Sequence, residues 1–229
     1  MAEVDLRLPK RAHVHFQSAP YFWLLGCELL LIILAPTAES AGSVRILIDV
    51  SMSAVLISGL WLISHETRAI LIGSALAIIV IGGSFLDALF DLRPWTRVVI
   101  LASGCVFFVF LVTHILRDVF LAERVSLHTI IGAICAYVML GIIWGMIYSI
   151  INVLDANAFL AATDGHPVGQ FMYFSVATLT TVGYGDIVPT SPLARGMSSV
   201  EAIVGQVFMT VLVARLVGLH LAQDSELRR

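Results

Sequence analysis

Thr178 to Asp186 read TLTTVGYGD, a polar stretch punctuated by two glycines and set between long apolar runs. Its chemistry lies in the main chain. Gly183 and Gly185 alternate with side-chain residues, and glycine reaches backbone angles closed to other residues, so successive carbonyl oxygens can turn toward one axis. Val182 and Tyr184 then face away and wedge against surrounding helices, while the Thr181 hydroxyl adds an oxygen at the inner end. Rings of such oxygens can replace the water shell of a dehydrated cation. Asp186 closes the stretch at the expected outer mouth, where an acid concentrates cations; Asp155 and Asp164 read as ordinary solvated loop acids.

Backbone without regular structure is tolerated in hydrocarbon only when buried in protein or lining water, so the elements around this stretch must supply that shelter. The chain has 229 residues, 59% hydrophobic and 13% charged, with a mean hydropathy of +0.97, far from the balance of a soluble domain. It reads as an all-α integral membrane protein. A spanning helix needs about 20 apolar residues, and six runs are read as spans: approximately Tyr21 to Ala35, which is short and could begin earlier, Ile46 to Ser64, Ala69 to Phe90, Val98 to Leu116, Leu127 to Leu154 and Leu193 to Leu221. Between the last two, Gly169 to Thr180 would be about 18 Å long as a helix, too short to cross, and is expected to re-enter from the face it left.

With six spans the termini share a side. Arg7, Lys10, Arg11, Arg68, Arg117, Arg124, Arg215, Arg228 and Arg229 fall there, against Arg45, Arg93, Arg97 and Arg195 on the other. Positive charge collects on the cytoplasmic side, which places both termini in the cytoplasm and residues 155–195 outside. The N-terminal stretch shows no convincing cleavage site, so no signal peptide is read; short loops favour a bacterial inner membrane.

TVGYG, Thr181 to Gly185, resembles the signature sequence of potassium channels residue for residue, and roughly the last hundred residues follow that family's order of outer helix, pore helix, filter and inner helix. The resemblance implies potassium bound at Thr181, Val182, Gly183 and Tyr184, with Gly185 completing the filter. One filter strand per chain implies a homotetramer around an axial pore. It also divides the chain into a cytoplasmic segment 1–19, a voltage-sensor-like four-helix domain 20–125, a pore domain 126–222 and a short tail 223–229. Multi-loop potassium transporters are a poorer likeness, since they resemble four fused repeats with single-glycine filters.

In the last span, Gly205 stands where the family often has a hinge glycine; close packing is the other reading. Gln206, Met209, Val213 and Val217 follow at helical spacing, as a cavity and gate or as a stripe facing lipid or core. Thr180 and Glu201 are expected to support the filter, Glu201 from behind by hydrogen bonds. Pore-helix C-termini, each carrying about half a negative charge, would favour a cation midway across the membrane.

Voltage sensing needs several arginines at three-residue spacing in one span. The fourth span offers only Arg97 and Arg117, about 30 Å apart along a helix, so weak or absent voltage dependence is expected. Acids remain in the front bundle: Glu28, Asp49 and Asp87. They could pair with Arg45, Arg93 or Arg97, bind a ligand or ion, be protonated, or form a structural polar cluster. His65 and His114 read as interfacial side chains, and Cys27, Cys105 and Cys135 as small hydrophobes.

A net charge of -3 leaves no basic surface for nucleic acid. No clustered nucleophile and base, metal-ligand spacing or phosphate loop supports an enzyme, and no cofactor is expected beyond permeant potassium. Lipids surround the protein, and a regulatory ligand or subunit is left open. After Arg215 only fourteen residues follow, too few for a soluble gating domain. A second function class is a membrane receptor or scaffold whose pore module serves to tetramerise it; scaffolding places no demand for carbonyl rings.

Overall fold

The computed structural model describes residues 10–35, 42–63, 67–90, 93–122, 124–160 and 167–227, with the backbone alone at 10–19, 42–46, 88, 167, 222 and 224–227. Residues 1–9 of the expected N-terminal segment, His65, Asp164, Arg228 and Arg229 lie outside the described residues, as do the side chains of Lys10, Arg11 and Arg45. Helices α1 (Lys10–Leu34), α2 (Gly42–Leu62), α3 (Thr67–Phe90), α4 (Pro94–Leu121), α5 (Leu127–Leu154), α6 (Pro167–Leu179) and α7 (Pro192–Leu227) follow in order. Strand β1 (Phe159–Leu160) precedes α6 and pairs antiparallel with β2 (Val188–Pro189), in register Phe159 to Pro189.

Local chemistry fixes several starts. Ser126 caps α5 by accepting from the Thr129 amide at 3.2 Å, and Ser191 caps α7 by accepting from the Ala194 amide at 3.1 Å. Both satisfy donors that a helix leaves unpaired. Pro94, Pro167 and Pro192 each open a helix, the position where a missing N–H matters least.

Among the described residues four helices are long and apolar enough to cross a membrane: Thr67–Asp87, Pro94–Leu121, Leu127–Leu154 and Pro192–Leu221. The apolar parts of α1 and α2, Pro20–Leu34 and Leu47–Leu62, form a shorter class among the described residues. Helix α1 begins at Lys10, well before its apolar run, because the basic and polar residues 10–19 include good helix formers that hydropathy overlooks. At the other end α7 continues to Leu227 instead of ending at 222. Helix α6 has 13 residues, about 20 Å, and falls short of the roughly 30 Å core of a bilayer.

The helices pack α1 on α2, α2 on α3 and α3 on α4, and both α1 and α4 lean on α5. Only residues 122–126 separate α4 from α5, so the two form an antiparallel hairpin. Tyr21, Leu24, Phe107, Phe108, Leu111, Ala136, Met139 and Met172 belong to one buried cluster. Helices α1 to α4 therefore share a core with α5 and α6. Outward, Trp23, Ile33, Ile78, Trp95 and Leu121 are exposed, an apolar exterior suited to lipid.

Candidate functional site

Helix α6 ends at Leu179 and the chain turns into the glycine-punctuated stretch. Thr181, Gly183 and Gly185 have φ of 61°, 54° and 80°, and among the described residues no other non-glycine has positive φ. Alternating left-handed residues with ordinary ones at 182 and 184 turns successive peptide carbonyls the same way. The amides are engaged on the α6 side: Thr181 N–H donates to Thr178 O at 2.9 Å, while Val182 and Gly183 donate to Ala177 O at 2.9 and 3.1 Å. Sequence reasoning anticipated the two glycines. It missed that Thr181 shares their conformation, since a threonine gives no local signal for it.

Asp186 follows the glycine-punctuated stretch and accepts from the Tyr173 hydroxyl of α6 at 2.6 Å. That bond holds the Asp186 carboxyl below the usual aspartate range. The Tyr173 ring also stacks on Tyr184, 6.0 Å between centroids and 5° from parallel. Val182 and Tyr184 are exposed within one chain, and nothing approaches where a Cβ would stand at Gly183 or Gly185. Thr180 returns its hydroxyl to Val176 O at 2.6 Å. The β1–β2 ribbon and the bond from Thr190 N to Ala158 O at 2.8 Å fasten the returning loop to the end of α5. Asp155 accepts from the Asn157 amide at 3.0 Å, a turn role in line with its reading as a loop acid.

Behind the stretch, Glu201 of α7 is completely buried. Its two oxygens accept from Ser175 Oγ of α6 and from the Tyr148 hydroxyl of α5, each at 2.5 Å. Three helices thus meet on one carboxyl. Tyr148 stands among Trp144, Phe159 and Phe174 with ring centroids 5.1 to 6.0 Å away. Close approach of α5 to α6 depends on Gly141 and Gly145. A Cβ at Gly145 would come within 2.9 Å of Met172 Cα, and one at Gly141 within 3.3 Å of Val176. The G-x-x-x-G spacing in GIIWG was the readable signal for this contact. Tyr148, Ser175 and Tyr137, whose hydroxyl donates to Leu179 O at 3.1 Å, were not anticipated.

Gly205 lies against the Leu179 carbonyl so closely that a Cβ would collide with it, which gives the glycine a packing role in an α7 described as one continuous helix. Gln206, Met209, Val213 and Val217 are all exposed in the single chain. In the front bundle Arg97 pairs with Asp87 at 3.0 Å. Glu28 is fully buried. His114 packs on Phe110 with ring centroids 4.4 Å apart.

Residues 132–219 match the family described as Ion channel. The chain is 38% identical over 64 residues to two pore potassium channel c of Oryza sativa subsp. japonica, covering 28% of this chain and 14% of the relative. It is 38% identical over 72 residues to inward rectifier potassium channel Kirbac3.1 of Paramagnetospirillum magnetotacticum, covering 28% and 24%. With two-pore potassium channel 4 of Arabidopsis thaliana the identity is 30% over 98 residues, covering 42% and 34%. The matched part therefore spans at most about a third of these relatives' lengths. No solved structure matches. The family match falls on the elements just described, α5 to α7, and the relatives are channels by name.

Proposed function

We propose that this chain is one subunit of a homotetrameric, potassium-selective channel that conducts ions passively. The observation that carries the reading is the alternation of left-handed residues at 181, 183 and 185 within TVGYG, with the neighbouring amides occupied by the end of α6. Such a strand offers one face of carbonyls. Four copies around an axis would close them into rings that replace an ion's water, holding it firmly enough to enter and weakly enough to leave.

The remaining parts take consistent roles. Helix α6 re-enters from outside and directs the negative end of its dipole toward a central cavity; Gln206, Met209, Val213 and Val217 face that cavity. Asp186 lies at the outer mouth. Six helices span, both termini are cytoplasmic, and the membrane is a bacterial inner membrane. The α1–α4 bundle lacks a charge array and gives little or no voltage dependence.

Proteoliposomes loaded with potassium test this. Flux should favour potassium over sodium, be blocked by external barium, and lose its selectivity on Gly183→Ala, which places a Cβ at a φ of 54° where it meets its own backbone. Equal passage of sodium and potassium, or unchanged selectivity in that variant, would remove the filter from this stretch.

A further inference from the structure

Helix α1 runs along the pore module like a strap. Its buried positions Tyr21, Leu24, Glu28, Leu31 and Ala35 recur at steps of three and four, the stripe of a helix face pressed on its neighbours. At one end the Tyr21 ring meets His128 edge-on at 4.3 Å, its hydroxyl donates to Asp118 at 3.4 Å, and its carbonyl accepts from the Cys135 thiol at 3.5 Å. A Cβ at Gly132 would come within 3.0 Å of the same ring. At the other end Ala35 lies against Gly169, where a Cβ would collide with the Ala35 carbonyl. The strap is therefore fastened to the first turns of α5 and to the start of α6.

Glu28 sits between these two fastenings, fully buried, and neither carboxyl oxygen has a hydrogen-bond partner. The groups facing it are few. Its own helix brings the Cys27 thiol and α5 brings the Cys135 thiol. The Ser58 hydroxyl of α2, beside Cys27, donates to Val55 O at 2.9 Å. Among the described residues no charged side chain acts on Glu28, where burial alone is felt, and no cluster suited to a metal ion exists. A carboxylate ion without donor or counter-charge in such a place is expensive; a neutral carboxyl is far less so. The ligand that satisfies the site without enlarging it is a proton.

We propose that Glu28 is a proton-binding site that seats α1 on the pore module, so that loss of this proton unseats α1 and lowers conduction. The effect on conduction rests on the channel reading. Its sign follows from the contacts: on deprotonation the O–H bond breaks, the proton passes to water, and the charge left behind must reach water itself. Moving α1 outward withdraws Ala35 from the first turn of α6, the helix that carries the filter stretch. The seated state is complete at low pH and is lost as pH rises.

Potassium flux from liposomes and amide hydrogen exchange of residues 21–35 should be followed together for the wild type and Glu28→Gln, from about pH 5.5 to about pH 9.5. Wild-type flux should fall at least about fivefold over that range, while Glu28→Gln keeps its low-pH flux throughout. At the alkaline end, α1 of the wild type should exchange faster than α1 of the variant at the same pH. Glu28→Met, which is apolar and of similar size, should behave as Glu28→Gln. Identical pH profiles of flux and exchange in wild type and variants would overturn the proposal. An exchange difference without selective flux in any of the proteins would keep the proton site and overturn the conduction reading instead.

Discussion

Tyr173 touches two parts of the TVGYGD stretch at once, stacking on Tyr184 and donating to Asp186. The bond is to the ionised carboxylate, so it stabilises the charged form and lowers its pKa. The linkage has a fixed direction: a depressed carboxyl contributes stability that is present above its unfolded pKa and lost as pH falls through the lowered folded value. Conduction should therefore tolerate external acid well into the range where an ordinary aspartate, with a pKa of about 3.9, has begun to protonate. Tyr173→Phe should move the Asp186 transition upward toward that ordinary value. An NMR titration of the Asp186 side chain in the two proteins checks this, and an unmoved midpoint would mean that the bond does not hold the carboxylate. The residue pair was only half legible in the sequence. Asp186 stood out beside TVGYG, but Tyr173 is 13 positions away and becomes its partner only because α6 folds back alongside the loop.

Glu201 does its work between elements, joining α7 to α6 through Ser175 and to α5 through Tyr148. A sequence could suggest that an acid inside a span has a purpose, and its four-residue offset from Gly205 could suggest where it points. The partners could not be read, because they lie 26 and 53 positions away and depend on how three helices dock. The glycines give the opposite lesson. The spacing of GIIWG is by itself a close-packing signal that the sequence reading passed over, whereas Gly205 was singled out with hinge and packing both open, and the Leu179 carbonyl against it decides for packing. Glu201→Ala should strand the buried Tyr148 hydroxyl, at about 1–3 kcal/mol for an unsatisfied group, while Ser175 keeps the Gly141 carbonyl at 2.8 Å, and should lower both the thermal midpoint and the potassium selectivity of the purified protein. Glu201→Gln retains oxygen and nitrogen at the same positions and should lose less of each. Equal losses in the two variants would indicate that Glu201 fills space rather than holding the helices in register.

At the scale of the whole molecule, hydropathy suggested six spans with the first of them short, and among the described residues both α1 and α2 have shorter apolar parts than α3, α4, α5 and α7. Both carry polar residues inside: Glu28 in α1, and Asp49, Ser51, Ser53 and Ser58 in α2. Their burial is supplied by neighbours instead of by composition, since α1 packs on α2, α5 and α6. The succession of helices, α1 to α4 and then α5 to α7, was readable from the order of segments. Their shared core was not, because α1 reaches α5 across about a hundred residues of sequence. This architecture bears directly on voltage. A charge crossing the whole field yields about 2.3 kcal/mol per 100 mV, so a single moving arginine would change the open-to-closed ratio more than about a thousandfold over about 200 mV. In α4, Arg97 is held by Asp87 at 3.0 Å, and moving it would break a pair whose acid is nearly buried. Arg117 lies twenty positions further on, exposed, and already beyond the apolar middle of the helix. Neither is arranged to travel. Planar-bilayer recordings in symmetric potassium should therefore show an open probability that changes by less than about threefold between about −100 and +100 mV. A steep change would require charge movement in α4, and Asp87→Asn, by releasing Arg97, would then alter its steepness.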